Sequence, residues 1–361
     1  MQKNEILVVY GSAPAEMAMK IAEAAGLAEL IGDRKKRIGL KPNLVVSRPA
    51  SGGATTHPEI AAGLISYLKK NGFSNIVILE GSWVGDSTSS AFSACGYRAL
   101  AKEAAVELID TQSDRYEAVD CKGMKIEICS SALALDFMIN LPVLKGHCQT
   151  LLTCALKNNK GVIPDREKRR FHSLGLTKPI AHLNTVVRSD FIVVDGICGD
   201  LDFEEGGNPV YGGRIFAARD PVLCDAWAAS LMGYSLSEIP YIGLAEKLGA
   251  GKSGPATVRE LNKNSDAPAP PLPGGKAKQL SGCIREEKAC SACYAGLVFA
   301  LSRLDKSERG RFKEICIGQG FKGKKGSLGV GLCTAAFAAS CPGCPPTGAD
   351  VLAFLGKQLR S

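Results

Sequence analysis

The sequence predicts an α/β protein: a doubly wound, largely parallel sheet followed by a small cysteine-rich metal-binding domain. Three observations carry this. Apolar runs of strand length alternate with helical patterns over residues 1–250. A proline-rich stretch, residues 262–275, then interrupts the alternation. Beyond it fall seven of the 14 cysteines: Cys283, Cys290, Cys293, Cys316, Cys333, Cys341 and Cys344.

Strand-length runs occur at residues 5–10, 37–40, 75–79, 106–109, 136–139 and 191–194. Helical patterns lie between many of them, at residues 14–31, 58–71, 151–158, 178–187 and 221–232. Such alternation marks βαβ units, whose strands pair in parallel. Two shorter runs, 116–119 and 124–128, flank a Cys-Lys-Gly turn and are expected to add a hairpin to the sheet. Thr56-His57-Pro58-Glu59 has the form of a capping box, and Asp220-Pro221 that of an N-cap followed by proline. The expected domains are residues 1–261 (α/β), 262–281 (a semi-rigid proline-rich linker) and 282–361 (cysteine-rich).

Composition bounds the function. With 361 residues, 45% hydrophobic and 22% charged, the chain can bury a full core without disulfide staples. The N-terminus is expected to be a strand rather than a signal peptide, and apolar stretches such as residues 294–301 fall far short of the ~20 residues a membrane helix needs. A cytoplasmic protein is expected, and in a reducing cytosol clustered cysteines point to metal or redox chemistry. The net charge of +8 is concentrated at residues 34–37, 166–170 and 322–325. These runs lack interleaved aromatics, which argues against single-strand nucleic-acid recognition.

In an open parallel sheet, ligands bind outside the carboxyl ends of the strands. Polar groups recur there: Lys41 and Asn43, Glu80 and Ser82, Asp110 and Thr111, Asn140 with Lys145 and His147, and Asp195. The lysines offer positive charge, the acids general bases or metal ligands, and His147 either role near neutral pH. Residues 141–184 hold three of the four histidines (His147, His172, His182) with Cys148, Cys154, Lys157, Asn158 and Lys160. A second metal is conceivable there, but no pair has tight ligand spacing. An anion grip through Lys145, Lys157 and Lys160 suits these residues better. Residues 205–209 with Gly212-Gly213 are expected to form a flexible loop, either able to close over the cleft or an ordinary turn, and Asp225 to be either a cleft-facing acid or a helix-surface charge.

The tail holds Cys290-Ser291-Ala292-Cys293, the isolated Cys333, and Cys341-Pro342-Gly343-Cys344-Pro345. Zinc ribbons usually set their CxxC pairs about 15–20 residues apart. Bacterial ferredoxins place proline directly after a ligand cysteine. The combination favours one 4Fe-4S cluster, with zinc as the alternative. Cys283, Cys316 and Cys341 are left over. The glycine-rich run 318–326 is able to turn its amides toward cluster sulfurs, or to cradle an anion.

Lys41-Pro42-Asn43, Thr56-His57-Pro58-Glu59, the stretch from Asn140 to His147, Leu156-Lys157-Asn158 with Lys160-Gly161, Asp195-Gly196, and Glu205-Gly206 through Asp220 resemble the domain of unknown function 362 family. The resemblance covers residues 41–233, and the tail is similar to the cysteine-rich C-terminal region of one branch. It implies a prokaryotic protein whose relatives often carry 4Fe-4S modules. It also implies Cys290, Cys293, Cys333 and Cys344 as ligands, with Cys341 a substitute for one of them. The two-cluster ferredoxin run of many relatives is missing, so one cluster is expected.

The functional expectation is a 4Fe-4S redox enzyme or electron-transfer protein acting on an anionic small molecule, with a ferredoxin-type electron donor. His147, Lys145 and Asp195 are the catalytic candidates; Lys41, Asn43, Glu80, Lys157 and Asn158 the substrate-binding ones. Two rivals are a non-redox ligase or lyase with a structural zinc or iron-sulfur clip, and a non-enzymatic RNA- or metal-binding module.

Overall fold

The structure, a computed structural model, describes residues 1–262 and 279–360. Most of the expected linker, residues 263–278, lies outside the described residues. The chain divides into two compact units. One is Met1–Glu167 with Thr177–Pro273; the other is Lys168–Leu176 with Gly274–Ser361. The second unit therefore takes in Lys168–Leu176, which lies within the stretch expected to be α/β.

The strands of the first unit are β1 (Glu5–Tyr10), β2 (Ile38–Pro42), β3 (Ile76–Glu80), β4 (Glu107–Asp110), β5 (Tyr116–Asp120), β6 (Lys125–Cys129), β7 (Phe137–Leu141), β8 (Lys145–His147), β9 (Leu151–Thr153), β10 (Phe191–Asp200), β11 (Pro209–Ala218) and β12 (Thr257–Glu260). Eight form one sheet, in the order β12-β1-β11-β10-β7-β2-β3-β4. Its pairings are parallel except for β11, which runs antiparallel to both β1 and β10. Parallel strands are buried on both faces and so read as continuous apolar runs, which is why β1, β2, β3, β7 and β10 stand out in the sequence. Leu7, Leu40, Ile78, Ile139 and Val193 of these strands share a core with Ile21 of the Pro14–Ala25 helix and Leu64 of the Pro58–Lys70 helix.

Five local expectations are corrected. The β5–β6 hairpin forms its own two-stranded sheet instead of extending the main one. The helix expected over residues 14–31 breaks at Gly26, whose left-handed φ of 63° ends Pro14–Ala25 and starts Leu27–Ile31. Residues 151–158 begin as β9, paired antiparallel with β8, and are helical only over Ala155–Asn158. From Pro209 onward the expected flexible loop is β11, a ten-residue strand in the sheet. The capping box is absent. His57 is the N-cap and makes no side-chain cap bond, and Thr56 Oγ1 does not cap because it accepts from Asn43 N (2.9 Å) and donates to Leu141 O (2.7 Å).

The second unit has four short strands, β13 (Ile284–Glu286), β14 (Ile315–Ile317), β15 (Leu328–Val330) and β16 (Ala339–Cys341), all parallel and side by side in chain order. Helices Ser291–Arg303 and Gly348–Arg360 accompany them.

The N-cap expected at Asp220 is present. Its Oδ1 accepts from Val222 N (2.8 Å) and Leu223 N (3.1 Å) at the start of the Pro221–Leu231 helix. Asp220→Ala is expected to lower the unfolding free energy of the first unit by about 1–2 kcal/mol in urea denaturation.

Candidate functional site

The strand-end residues of the first unit meet one another. Lys41, at 0% exposure, pairs with Glu80, also buried, whose other oxygen accepts from Leu44 N (3.1 Å). Gly161 lies directly on this pair: a Cβ there would overlap Glu80 Oε2 and Lys41 Nζ. Thr111, just past β4, holds that glycine by donating to its carbonyl (2.6 Å). Burial pulls the Lys41 pKa down, against the opposing pull of Glu80.

Lys145, on β8, donates to three uncharged oxygens: Asn43 Oδ1 (3.0 Å), Ala54 O (2.6 Å) and Glu204 O (2.9 Å). Three acceptors match the three hydrogens of an ammonium. With no carboxylate bonded to it, burial brings the Lys145 pKa down to about 7.

Glu204 joins two of the expected site residues. One oxygen pairs with Lys157 and the other lies 3.0 Å from His147 Nε2. Burial works to raise its pKa, but Lys157 and His147 outweigh that and hold it well below the carboxylate range. His147 Nδ1 accepts from the backbone N–H groups of Gln149 and Thr150 (3.0 Å each). That fixes the neutral Nε2–H tautomer, and burial together with the Lys157 charge lowers the pKa to about 4.

Asparagines tie these groups together. Asn43 donates to Asn158 (2.8 Å), Asn158 to Asn140 (2.7 Å), Asn140 to Asn159 (3.3 Å), and Asn159 to Asn184 (2.8 Å). Lys157 and Asn158 ride on the short helix Ala155–Asn158, whose N-terminal amides donate to Asp225 (Ala155 N to Oδ1, 2.7 Å). Asp225 is fully buried, so it is neither a cleft-facing nor a surface acid, and burial raises its pKa to about 7.

Asp195 has a different partner. Its Oδ2 accepts from His57 N (2.9 Å) and lies 2.7 Å from His57 Nδ1. Burial works against the imidazolium, but the hydrogen bond and charge of Asp195 prevail and raise the His57 pKa. Its side chain keeps 18% of its exposure, whereas that of His147 keeps none. Glu204 is the member that sequence reasoning passed over, and His57 entered it only as part of the expected capping box. Their signals were the histidine directly before a helix-starting proline and the acidic pair Glu204-Glu205 before two glycines. His182 stands apart, its Nδ1 2.7 Å from Cys121 O.

In the second unit, cysteines collect beyond the carboxyl ends of the parallel strands. Cys290 is the N-cap of helix Ser291–Arg303 and Cys293 lies in its first turn. Cys333 follows β15, Cys341 closes β16, and Cys344 comes three residues later. Burial raises the Cys293 pKa, and Cys290, Cys344, Cys333 and Cys341 raise it further, in that order. The Gln319 amide donates to Cys290 Sγ (3.7 Å). Cys344 is exposed, Cys290, Cys293 and Cys333 are half-buried, and Cys341 is buried. Cys316 instead donates to Glu314 (3.4 Å). Among the described residues, Cys154, Cys224 and Asp225, all buried in the first unit, form a group whose ligand atoms lie within 4.8 Å of one another.

Fold and sites together define a mixed α/β protein with a buried lysine–carboxylate–asparagine network and a separate cysteine-lined unit. The family model described as Domain of unknown function (DUF362) matches residues 38–230, more than half of the chain, and the protein belongs to that family. A thylakoid-associated protein of Synechocystis sp. is 24% identical over 259 residues, which cover 66% of this chain and 76% of the relative. Among solved structures, the lactate racemase apoprotein from Thermoanaerobacterium thermosaccharolyticum aligns with a TM-score of 0.42 at 14% identity, over 64% of this chain and 57% of that one. This chain thus spans just over half the length of the racemase. A Thermotoga maritima protein of known crystal structure aligns with a TM-score of 0.37 at 12% identity, over 89% and 71% of the two chains. No helix among the described residues is long and apolar enough to cross a membrane.

Three outcomes follow from the network. Glu80→Ala, which strands the Lys41 ammonium, is expected to cost about 3–5 kcal/mol of first-unit stability in urea denaturation; Gly161→Ala, which drives a methyl into the same pair, shifts the midpoint in the same direction. The depressed pKa of His147 means that the unfolded chain takes up a proton the folded chain refuses. The stability it contributes is complete above about pH 6.5 and is lost as pH falls toward about 4, by about 3 kcal/mol in all. Imidazole NMR signals followed from pH 8 to about 5 check this: His147 stays neutral over that range while His57 protonates at a higher pH.

Proposed function

We propose that this protein binds one 4Fe-4S cluster through Cys290, Cys293, Cys333 and Cys344 and serves redox chemistry on an anionic small molecule in the cytoplasm. The observation that carries the proposal is the gathering of these cysteines about the N-terminus of a 13-residue helix, beyond the ends of parallel strands. The positive end of a helix favours thiolate over thiol. Cys344 is favoured over Cys341 as the fourth ligand, because Cys341 is buried on β16 whereas Cys344 is exposed and precedes proline.

When bound, the cluster supplies one-electron transfer. The Gln319 amide, donating toward Cys290 Sγ, would raise its potential. On the substrate side, His57 takes the proton-handling role expected of His147: it is oriented by Asp195, reaches solvent and has a raised pKa. Lys145 supplies positive potential, as the one lysine of the three not paired with a carboxylate. Lys41 and Lys157, each in a carboxylate pair, hold the framework.

Anaerobic purification tests this. The expected product is brown, absorbs broadly near about 400 nm, and carries about four irons per chain. Cys290→Ala and Cys344→Ala are expected to lose the colour and most of the iron, whereas Cys341→Ala keeps both. A colourless protein with stoichiometric zinc overturns the proposal.

A further inference from the structure

The cysteine-bearing end of the chain holds most of the net charge. Residues 282–361 contain twelve lysines and arginines against six aspartates and glutamates, so they contribute +6 of the overall +8. Part of this excess is displayed beside the cysteines. The loop after β14 runs through Gln319–Phe321 and then exposes Lys322, Lys324 and Lys325. The loop after β15 exposes Leu332 at 57%, together with Ala335 and Ala336.

The two loops are fixed against each other. Phe321 and Phe337 are buried, with ring centroids 5.8 Å apart and edge-to-face. Ala338 N donates to Gly326 O (2.9 Å), and a Cβ on Gly326 would overlap the Phe337 ring. The lysines are therefore carried on an anchored loop. Lys322 is close enough for its charge to act on Cys333. Leu332 N donates to Gly343 O (2.9 Å), joining the apolar tip to the turn that carries the exposed Cys344.

Nearby acids do not cancel the charge. Glu287 is engaged by Lys324 (2.9 Å) and Arg285 (3.3 Å), and Asp350 by Thr347 Oγ1 (2.6 Å). Among the described residues, Lys322 and Lys325 have no carboxylate within ion-pair distance. A small apolar centre with a cationic rim, next to an exposed cysteine, has the anatomy of a transient protein interface. Nucleic acid is the poorer fit: the aromatic rings here, Phe321 and Phe337, are buried in the loop base and offer no stacking face.

We infer that Lys322, Lys325 and Leu332 form the docking surface for an acidic electron-carrier protein of the ferredoxin class. The inference rests on the proposed cluster. Docking there brings the carrier to the exposed Cys344 edge. One electron then leaves the reduced carrier, which is oxidised, and is accepted by this chain, with no bond made or broken.

The test uses the full chain, purified anaerobically, with its iron content measured first. Binding of an acidic two-iron ferredoxin is titrated calorimetrically between about 50 and about 500 mM salt. Affinity is expected to fall at least about tenfold over that range. The double variant Lys322→Glu/Lys325→Glu is expected to lose about tenfold in affinity at low salt and to converge with the wild type at high salt, with its iron content unchanged. Lys35→Glu/Lys36→Glu, which alters a basic run of the first unit, leaves affinity unchanged. Salt-independent binding, equal affinity of the 322/325 variant, or tighter binding of a single-stranded oligonucleotide than of ferredoxin overturns the docking surface. A chain without iron sinks the cluster proposal instead, because the charge dependence of ferredoxin binding is read independently of it.

Discussion

Buried charge is the constraint on which the first unit depends. Lys41, Lys145, Lys157, Glu80, Glu204 and Asp195 are all removed from solvent, and an unpaired charge in such a place costs several kcal/mol. Lys145 is held by three neutral oxygens; the others each take a partner of opposite charge or an imidazole, and these partners come from distant parts of the chain. Lys41 on β2 takes Glu80 from β3, and Lys157 takes Glu204 from the segment that follows β10. The backbone is shaped to allow this. Gly161 has no side chain because the Lys41–Glu80 pair occupies that space, and Asp225 fixes the helix that presents Lys157 and Asn158.

Two of this unit's three histidines, His147 and His57, show how the same constraint divides chemical roles. His147 faces a carboxylate already claimed by a lysine, and two amides occupy its other nitrogen, so it stays neutral. His57 has Asp195 as its own carboxylate and retains access to solvent. Identical side chains are thereby set to opposite protonation behaviour, the pattern by which proteins assign acid and base roles. The second unit obeys a different rule: small parallel strands end together, and the loops leaving them deliver thiols to one helix N-terminus.

Much of this arrangement was legible in the sequence. The parallel strands appear as apolar runs because both faces are covered, and the polar residues that follow them mark the sheet edge where Lys41, Glu80, Asn140 and Asp195 lie. The tail cysteines were legible because CxxC spacing is local. What escaped depended on tertiary partners. β11 opens with proline and carries Gly212-Gly213, so its local pattern is that of a loop; pairing with both β1 and β10 makes it a strand. Thr56 looked like a cap until Leu141 and Asn43 took its hydroxyl. Glu204 left no periodic signal, since its importance comes from meeting Lys157 and His147 across 47 and 57 positions of chain. The polar residues after the strands suggested an open cleft; in the folded chain they satisfy one another beneath the surface, and His57 is the member that reaches out.

The most direct test of the central claim is anomalous X-ray scattering at the iron edge from crystals of the full chain grown without oxygen. A compact group of four iron peaks bounded by the sulfurs of Cys290, Cys293, Cys333 and Cys344 is the result expected. A single zinc peak among those sulfurs, or iron held elsewhere in the molecule, would contradict the account.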